Sequence, residues 1–158
     1  MSKGKLDKLD RQILTILMKD GKKTYAEIGQ QLFVSGGTIH VRMKKMEEMG
    51  VIKGYHLDVN HDLLGHDIVA FLGIFLEKSS LYDSVAKALE SIPEIVGAHY
   101  TTGHYGIFAK AVCKDTEHLK NLLHDKIQVI EGIQRTETFI SLEESINRPV
   151  PLIDMDED

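Results

Sequence analysis

Apolar residues in the first fifty positions recur every three to four residues. Leu9, Ile13, Ile16 and Leu17 fall at i, i+4, i+7 and i+8, which predicts an amphipathic helix between Leu6 and Met18. Asp20-Gly21 is the expected stop. Thr24 with Glu27 forms a capping box for a second helix whose inner face is Tyr25, Ile28 and Leu32. A short break, Phe33-Val34-Ser35, follows, with Ser35 as the next N-cap. The third helix runs to about Met49 with Ile39, Met43 and Met46 inward, and Gly50 ends it. "VIKGYHLDV" then alternates around Gly54 and predicts a small β-hairpin, or wing.

The pattern changes in the second half. Residues 68–76, "IVAFLGIFL", form the continuous apolar run of a buried strand. Leu81, Val85, Ala88, Leu89 and Ile92 return to helical spacing until Pro93. Strands are expected at 95–101 and 105–113, with a glycine-bracketed turn between them. A helix from Asp115 or Thr116 puts Leu119, Leu122, Leu123, Ile127 and Ile130 on one face and stops at Gly132. Residues 133–142 alternate as a last strand. The fold class is therefore α+β: an N-terminal winged helix-turn-helix, then a ferredoxin-like βαββαβ unit. Boundaries fall at 1–60 for the first domain, 61–66 for a linker and 67–146 for the second domain. The acidic, proline-bearing stretch 147–158 reads as a disordered tail.

Charge sharpens this division. The whole chain carries −5, but residues 1–54 hold 11 Lys/Arg against 6 Asp/Glu, while residues 55–158 hold 8 against 18. A basic module on an acidic body is the implied design. No apolar run reaches the roughly 20 residues of a membrane helix, and the first ten residues lack a secretory apolar core. Cys113 is the single cysteine, so neither a disulfide framework nor a cysteine zinc site is available, and Cys113 itself reads as core. A cytoplasmic protein without membrane contact is expected. There is no phosphate loop and no pair of carboxylates in an apolar setting, and His99 and His104 lack ligating partners at metal spacing. The sequence therefore implies neither an enzyme nor a metal site.

The chemistry sits in two places. In the third helix, "SGGTIHVRMKK" leaves Ser35, Gly36, Gly37, Thr38, His40, Val41, Arg42, Lys44 and Lys45 for the outer face and the N-terminal end. A helix N-terminus attracts phosphate, the two glycines admit close backbone approach, and the cations supply sequence-independent attraction to double-stranded DNA. A solvated basic face on a structural helix would share this composition. The second place is "YTTGHYGIF". Turn chemistry alone accounts for Gly103. Gly106, inside a strand, asks for something close to its backbone, and the N–H groups of Gly103 and His104 are donors for a small carboxylate.

The chain resembles the Lrp/AsnC (feast/famine) family over nearly all of residues 6–143. The stretches that carry the resemblance are "LDKLDRQILTIL", "DGKKTYAEIG", "VSGGTIHVRMKKMEEMGVIKGY", "TTGHYGIFAKAVC" and "IQRTETFISL". The resemblance implies a transcription regulator that forms dimers and often octamers, with an amino acid effector bound between subunits of the second domain. "YTTGHY" with "IQ…TET" is closest to the asparagine-responsive branch, which makes asparagine or another amino acid the expected effector and implies no other cofactor. The turn bordering the family's effector pocket corresponds to Thr101, Gly103, His104, Tyr105 and Gly106, with Gln128, Gln134, Thr136 and Glu137 as further candidates by position. Many members carry an aspartate where this chain has Gly106, so another group must meet an effector's ammonium here. The alternative function is a ligand-sensing or assembly protein without sequence-specific DNA binding.

Overall fold

The computed structural model describes residues 6–152. Two compact units emerge among the described residues: 6–58 together with 146–152, and Val59–Ser145. Residues 147–152 carry no secondary structure but belong to the first unit, where Pro149 and Leu152 help line an open apolar groove beside Leu14, Leu17 and Ile52. The rest of the expected disordered tail, 153–158, lies outside the described residues.

Three helices build the first unit: α1 (Lys8–Lys19), α2 (Tyr25–Leu32) and α3 (Gly36–Glu48). The Thr24–Glu27 capping box forms, and Ser35 caps α3 by accepting from the N–H of Thr38 at 3.0 Å. A second box, not anticipated, opens α1: Asp7 and Asp10 each accept from the other's backbone N–H. Asp20 rather than Gly21 closes α1, with its backbone extended and its N–H bonded to the Ile16 carbonyl. Ile13, Ile28, Ile39, Met43 and Met46 form the buried core.

Gly29 makes the turn between α2 and α3 possible. A methyl group there would stand 2.6 Å from the Val34 carbonyl oxygen and 3.1 Å from the Gly36 nitrogen. The expected hairpin over 51–59 does not form: the N–H groups of Val51 and Ile52 bond back to the Met46 carbonyl, and the chain beyond has no ladder. Two short strands around one glycine have too little to bury to stand alone.

The second unit follows the expected order: β1 (Ile68–Leu76), α4 (Tyr82–Glu90), β2 (Ile95–Tyr100), β3 (Ile107–Cys113), α5 (Thr116–Asn121) and β4 (Ile133–Ile140). The sheet runs β2-β3-β1-β4 and every pair is antiparallel. Strand ends are one or two residues shorter than expected. Beyond α5 the helix widens into a π-helical turn, Leu122–Ile127. That five-residue step lets both Leu122 and Ile127 reach the core. The helical segment ends at Ile127 with Gln128 as its C-cap, ahead of the expected stop, and Gly132, at φ +96°, instead turns the chain into β4.

Alternation splits the sheet. Ala70, Leu72, Ile74, Ala109 and Ala111 pack beneath Val85, Leu89, Leu119 and Leu122. Phe71, Gly73 and Phe75 alternate onto the opposite face, in register with Phe139, Glu137 and Arg135 of β4. Cys113 is buried in the helix-side core, as expected. At the helix side, the Glu94 carboxylate accepts from Lys126 Nζ at 2.6 Å and from His118 Nε2 at 3.0 Å. His118 Nδ1 accepts the Lys114 N–H, which leaves the ring proton on Nε2 to be donated.

Two outcomes follow. Gly29→Ala should destabilise the protein by about 1–3 kcal/mol in chemical unfolding, although alanine in a free helix would stabilise it by roughly 1 kcal/mol. The Lys126 ammonium, aided by His118, holds the Glu94 carboxyl down at about 2 against an ordinary 4.5. A depressed acid stabilises above its unfolded value and loses that stabilisation as pH falls. Glu94→Gln should therefore cost about 2 kcal/mol at pH 7, and the gap should close between pH 4.5 and 2.

Candidate functional site

α3 presents a continuous outward stripe. Gly37, His40, Val41, Lys44 and Lys45 are all exposed, Val41 at 67%. Spacings of three and four residues put them on one side, opposite Ile39, Met43 and Met46. Ser35 and Thr38 share a hydroxyl–hydroxyl bond of 2.9 Å at the helix start, so one wet polar group marks the N-terminal end. The His40 ring lies 5.8 Å from the Tyr25 ring of α2. Lys44 and Glu48 are 4.0 Å apart and well exposed, a pairing worth little in water. Gly36 differs from Gly37 in facing α2: a methyl group there would meet the Ala26 backbone at 3.4 Å, an ordinary contact distance.

Arg42 also turns inward. Its Nη1 donates to Asp7 and, at 2.8 Å, to Asp10 Oδ1. Asp10 is 1% exposed and is the only buried charged residue among the described ones. The hydrogen bond from Arg42 holds the Asp7 carboxyl below its ordinary range, and the two carboxylates raise the guanidinium in turn. A buried carboxylate is tolerated only with a partner of this kind. Arg42 thus ties the middle of α3 to the start of α1, and its charge is already countered within the unit.

In the second unit the glycine-bracketed turn lies at the end of the sheet where β1 and β2 finish and β3 and β4 begin. Thr101 Oγ1 donates to the Tyr105 carbonyl, and the Thr101 N–H to the Gly106 carbonyl at 3.2 Å. The Gly106 N–H donates to Ile74 at 2.9 Å. A methyl group at Gly106 would stand 2.8 Å from the Leu76 side chain. The group close to this glycine is therefore Leu76 of the same chain. Gly103 is exposed, has no positive φ, and has nothing within 4 Å of where a side chain would begin. His104 is exposed beside it.

Tyr105 lies across β1, in the space that Gly73 leaves open, within 2.7 Å of where a side chain there would begin. Its hydroxyl donates to Glu137 Oε2 at 2.7 Å, and Arg135 donates to Glu137 Oε1 at 2.6 Å. Arg135 in turn stacks 3.6 Å above the Phe75 ring. The Tyr105 hydroxyl, then Arg135, hold the Glu137 carboxyl below its usual range, while Glu137 pushes the phenol up. Thr136 points to the opposite face from Glu137, in register with Ile74. Gln134 is exposed near the start of β4, and Gln128 is exposed after the π-helical turn. The geometry brings together Thr101, Tyr105, Gly106 and Glu137, and leaves Gln128 and Thr136 apart from that cluster.

Residues 69–151 match the Lrp/AsnC ligand binding domain, and residues 6–53 match the winged helix-turn-helix DNA-binding family. The chain belongs to the Lrp/AsnC family. It is 46% identical to Regulatory protein AsnC of Escherichia coli (strain K12), over 92% of this chain and 95% of that one. It is 41% identical to the HTH-type transcriptional regulator FL11 of Pyrococcus furiosus, over 89% and 91%. Its fold superposes on the structure of E. coli AsnC with a TM-score of 0.87 at 44% identity, covering 93% of this chain and 99% of that one. The Lrp/AsnC family consists of transcription regulators, not enzymes. The chain is an effector-responsive DNA-binding regulator with a winged helix-turn-helix and an α+β ligand-binding domain.

Sequence reading missed three residues of this Lrp/AsnC chain. Asp7 and Asp10 flank the start of α1 in the D-x-x-D spacing of a capping box, a signal that was there to be read. Phe33 is 96% exposed in the turn itself, and only its flanking of the N-cap marked it. Removing the guanidinium would leave Asp10 buried and unpaired, so Arg42→Ala should cost about 3 kcal/mol in unfolding of the N-terminal unit. Lys45→Ala, on the exposed stripe, should change stability by less than about 0.5 kcal/mol.

Proposed function

We propose that this regulator binds its target duplex through the outward stripe of α3 and answers to an amino acid held at the turn around Gly103. The single observation that carries the DNA part is the stripe. Gly37, Thr38, His40, Val41, Lys44 and Lys45 converge on one side of a capped helix whose other side is fully committed to the core. Ser35 and Thr38 cap the end that approaches phosphate, and Lys44 and Lys45 supply the salt-dependent attraction.

The active species is a dimer. The sheet face without helices carries Phe71, Phe75, Tyr105, Phe108 and Phe139; their rings pack on one another, Arg135 lies over Phe75, Phe139 is exposed and the other four are half-buried. A two-fold partner placed there would bury them and present two α3 helices to half-sites about 34 Å apart. Such dimers would assemble further into octamers, as the family resemblance implies. Effector binding would act by favouring one assembly over another. A DNA-binding regulator of this kind works in the cytoplasm, and no helix among the described residues is long and apolar enough to cross a membrane.

At the effector turn, the free space at Gly103 and the exposed backbone beside His104 suit a carboxylate. Glu137 is the nearest candidate for the ammonium. Its charge is shared with Arg135 and Tyr105, so a ligand would compete with them. The likeness to AsnC makes asparagine the first effector to try.

The test is a titration of a mixed-sequence duplex at rising salt, with and without each amino acid. Binding should weaken steeply with salt, and Lys45→Ala should lower the slope by about one ion. One amino acid should give heat in calorimetry and shift the oligomer mass. Gly103→Leu should abolish that heat while leaving duplex binding intact. Salt-independent binding would exclude the DNA reading, and heat from no amino acid would exclude the effector.

A further inference from the structure

Phe33 occupies the turn between α2 and α3, two residues before the Ser35 cap. Two features set it apart. Its backbone sits in the left-handed region, φ 58° and ψ 38°, and it is the only non-glycine residue with positive φ among the described ones. Its ring is 96% exposed, more than any other aromatic side chain described. Either feature alone is tolerable. Together they describe a residue that serves the turn worse than glycine would. Glycine adopts this conformation without steric cost and is the usual residue just past a helix end. An exposed ring gains nothing from folding. Phe33 is also absent from the apolar residues packed on the core of its own unit.

Strain and exposure coinciding at one residue point to a contact outside the chain. The position decides which. Phe33 leads directly into the capped end of α3, beside Ser35, Gly37 and Thr38, and this is the end of the recognition helix that meets base edges. In the major groove, the apolar feature of a base edge is the thymine 5-methyl group, and phenylalanine is one of the side chains that contact it. We propose that Phe33 is a specificity-determining residue that packs its ring on a thymine methyl group at the edge of the half-site.

This inference rests on the DNA-binding reading above. The experiment uses the full chain and a duplex selected by the unsubstituted protein from a random pool. Phe33→Gly should hold or raise the unfolding temperature, because it relieves the left-handed strain. The same substitution should weaken binding to the selected duplex about ten-fold, with the salt slope unchanged because no phosphate contact is lost. Each thymine is then replaced in turn by uracil, which removes only the methyl group. At one position per half-site, uracil should weaken the unsubstituted protein and leave the Phe33→Gly variant indifferent. Phe33→Leu should keep part of the preference for thymine.

Equal affinity of Phe33→Gly and the unsubstituted protein would overturn the proposal. So would a loss of affinity that no thymine-to-uracil change shares, since the ring would then rest on sugar or phosphate. A change in oligomer mass with duplex binding preserved would place Phe33 at a protein interface and also overturn it. Failure of the DNA-binding reading itself would look different: the unsubstituted protein would select no duplex at all.

Discussion

Helices of 12, 8 and 13 residues do not persist in water on their own. The N-terminal unit exists because Ile13, Ile28, Ile39, Met43 and Met46 are removed from water together. Three of those five residues lie on α3, so the helix that presents the binding stripe is also the one most deeply built into the core. Its inner face is fixed by burial and its middle by the Arg42–Asp10 bond. What remains outside is a rigid row of small, polar and cationic groups. A reading surface placed on an immobile element loses little conformational freedom when it binds.

The second unit solves a different problem. A four-stranded sheet with both helices on one side has to do something with the other side. Here that side is filled by rings packed on rings: Phe71 on Phe108, and Tyr105 against Phe75, Phe108 and Phe139. Gly73 makes room for Tyr105 at the centre of the group. Tyr105 belongs to the turn that carries Gly103, and its hydroxyl reaches Glu137. The turn and the aromatic face are therefore mechanically one object. Any displacement of the turn would therefore also move the ring that organises the face.

Local signals were legible in the sequence. The Thr24–Glu27 capping box, the apolar periods and the helix-ending Gly50 foretold the order of elements, because each depends on residues a few positions apart. Long-range partners were not. Arg42 reads as a surface cation until Asp7 and Asp10, 35 and 32 positions earlier, are brought beside it. Gly106 reads as a ligand-facing gap until Leu76 fills it. The hairpin over 51–59 has the right alternation and no partner strand within its own unit. The π-helical turn is invisible to a 3.6-residue template, since that template already accepts Leu122, Leu123 and Ile127 as one face.

Glycines show how the two halves of this regulator divide their labour. Gly29, Gly73 and Gly106 are each accounted for by an atom of the chain itself within 2.8 Å of the missing side chain. Gly37 and Gly103 are not. Gly37 meets only the Ser35 hydroxyl at 3.7 Å, Gly103 meets nothing within 4 Å, and neither has a positive φ. Glycine inside α3 costs about 1 kcal/mol of helix propensity, and the fold obtains no packing in return. Bare backbone that the chain does not use is available to something else. Gly21 and Gly97 are equally unclaimed by the chain, so bare backbone marks no site by itself; at Gly37 the added argument is the cationic stripe around it, and at Gly103 it is the turn at the end of the sheet.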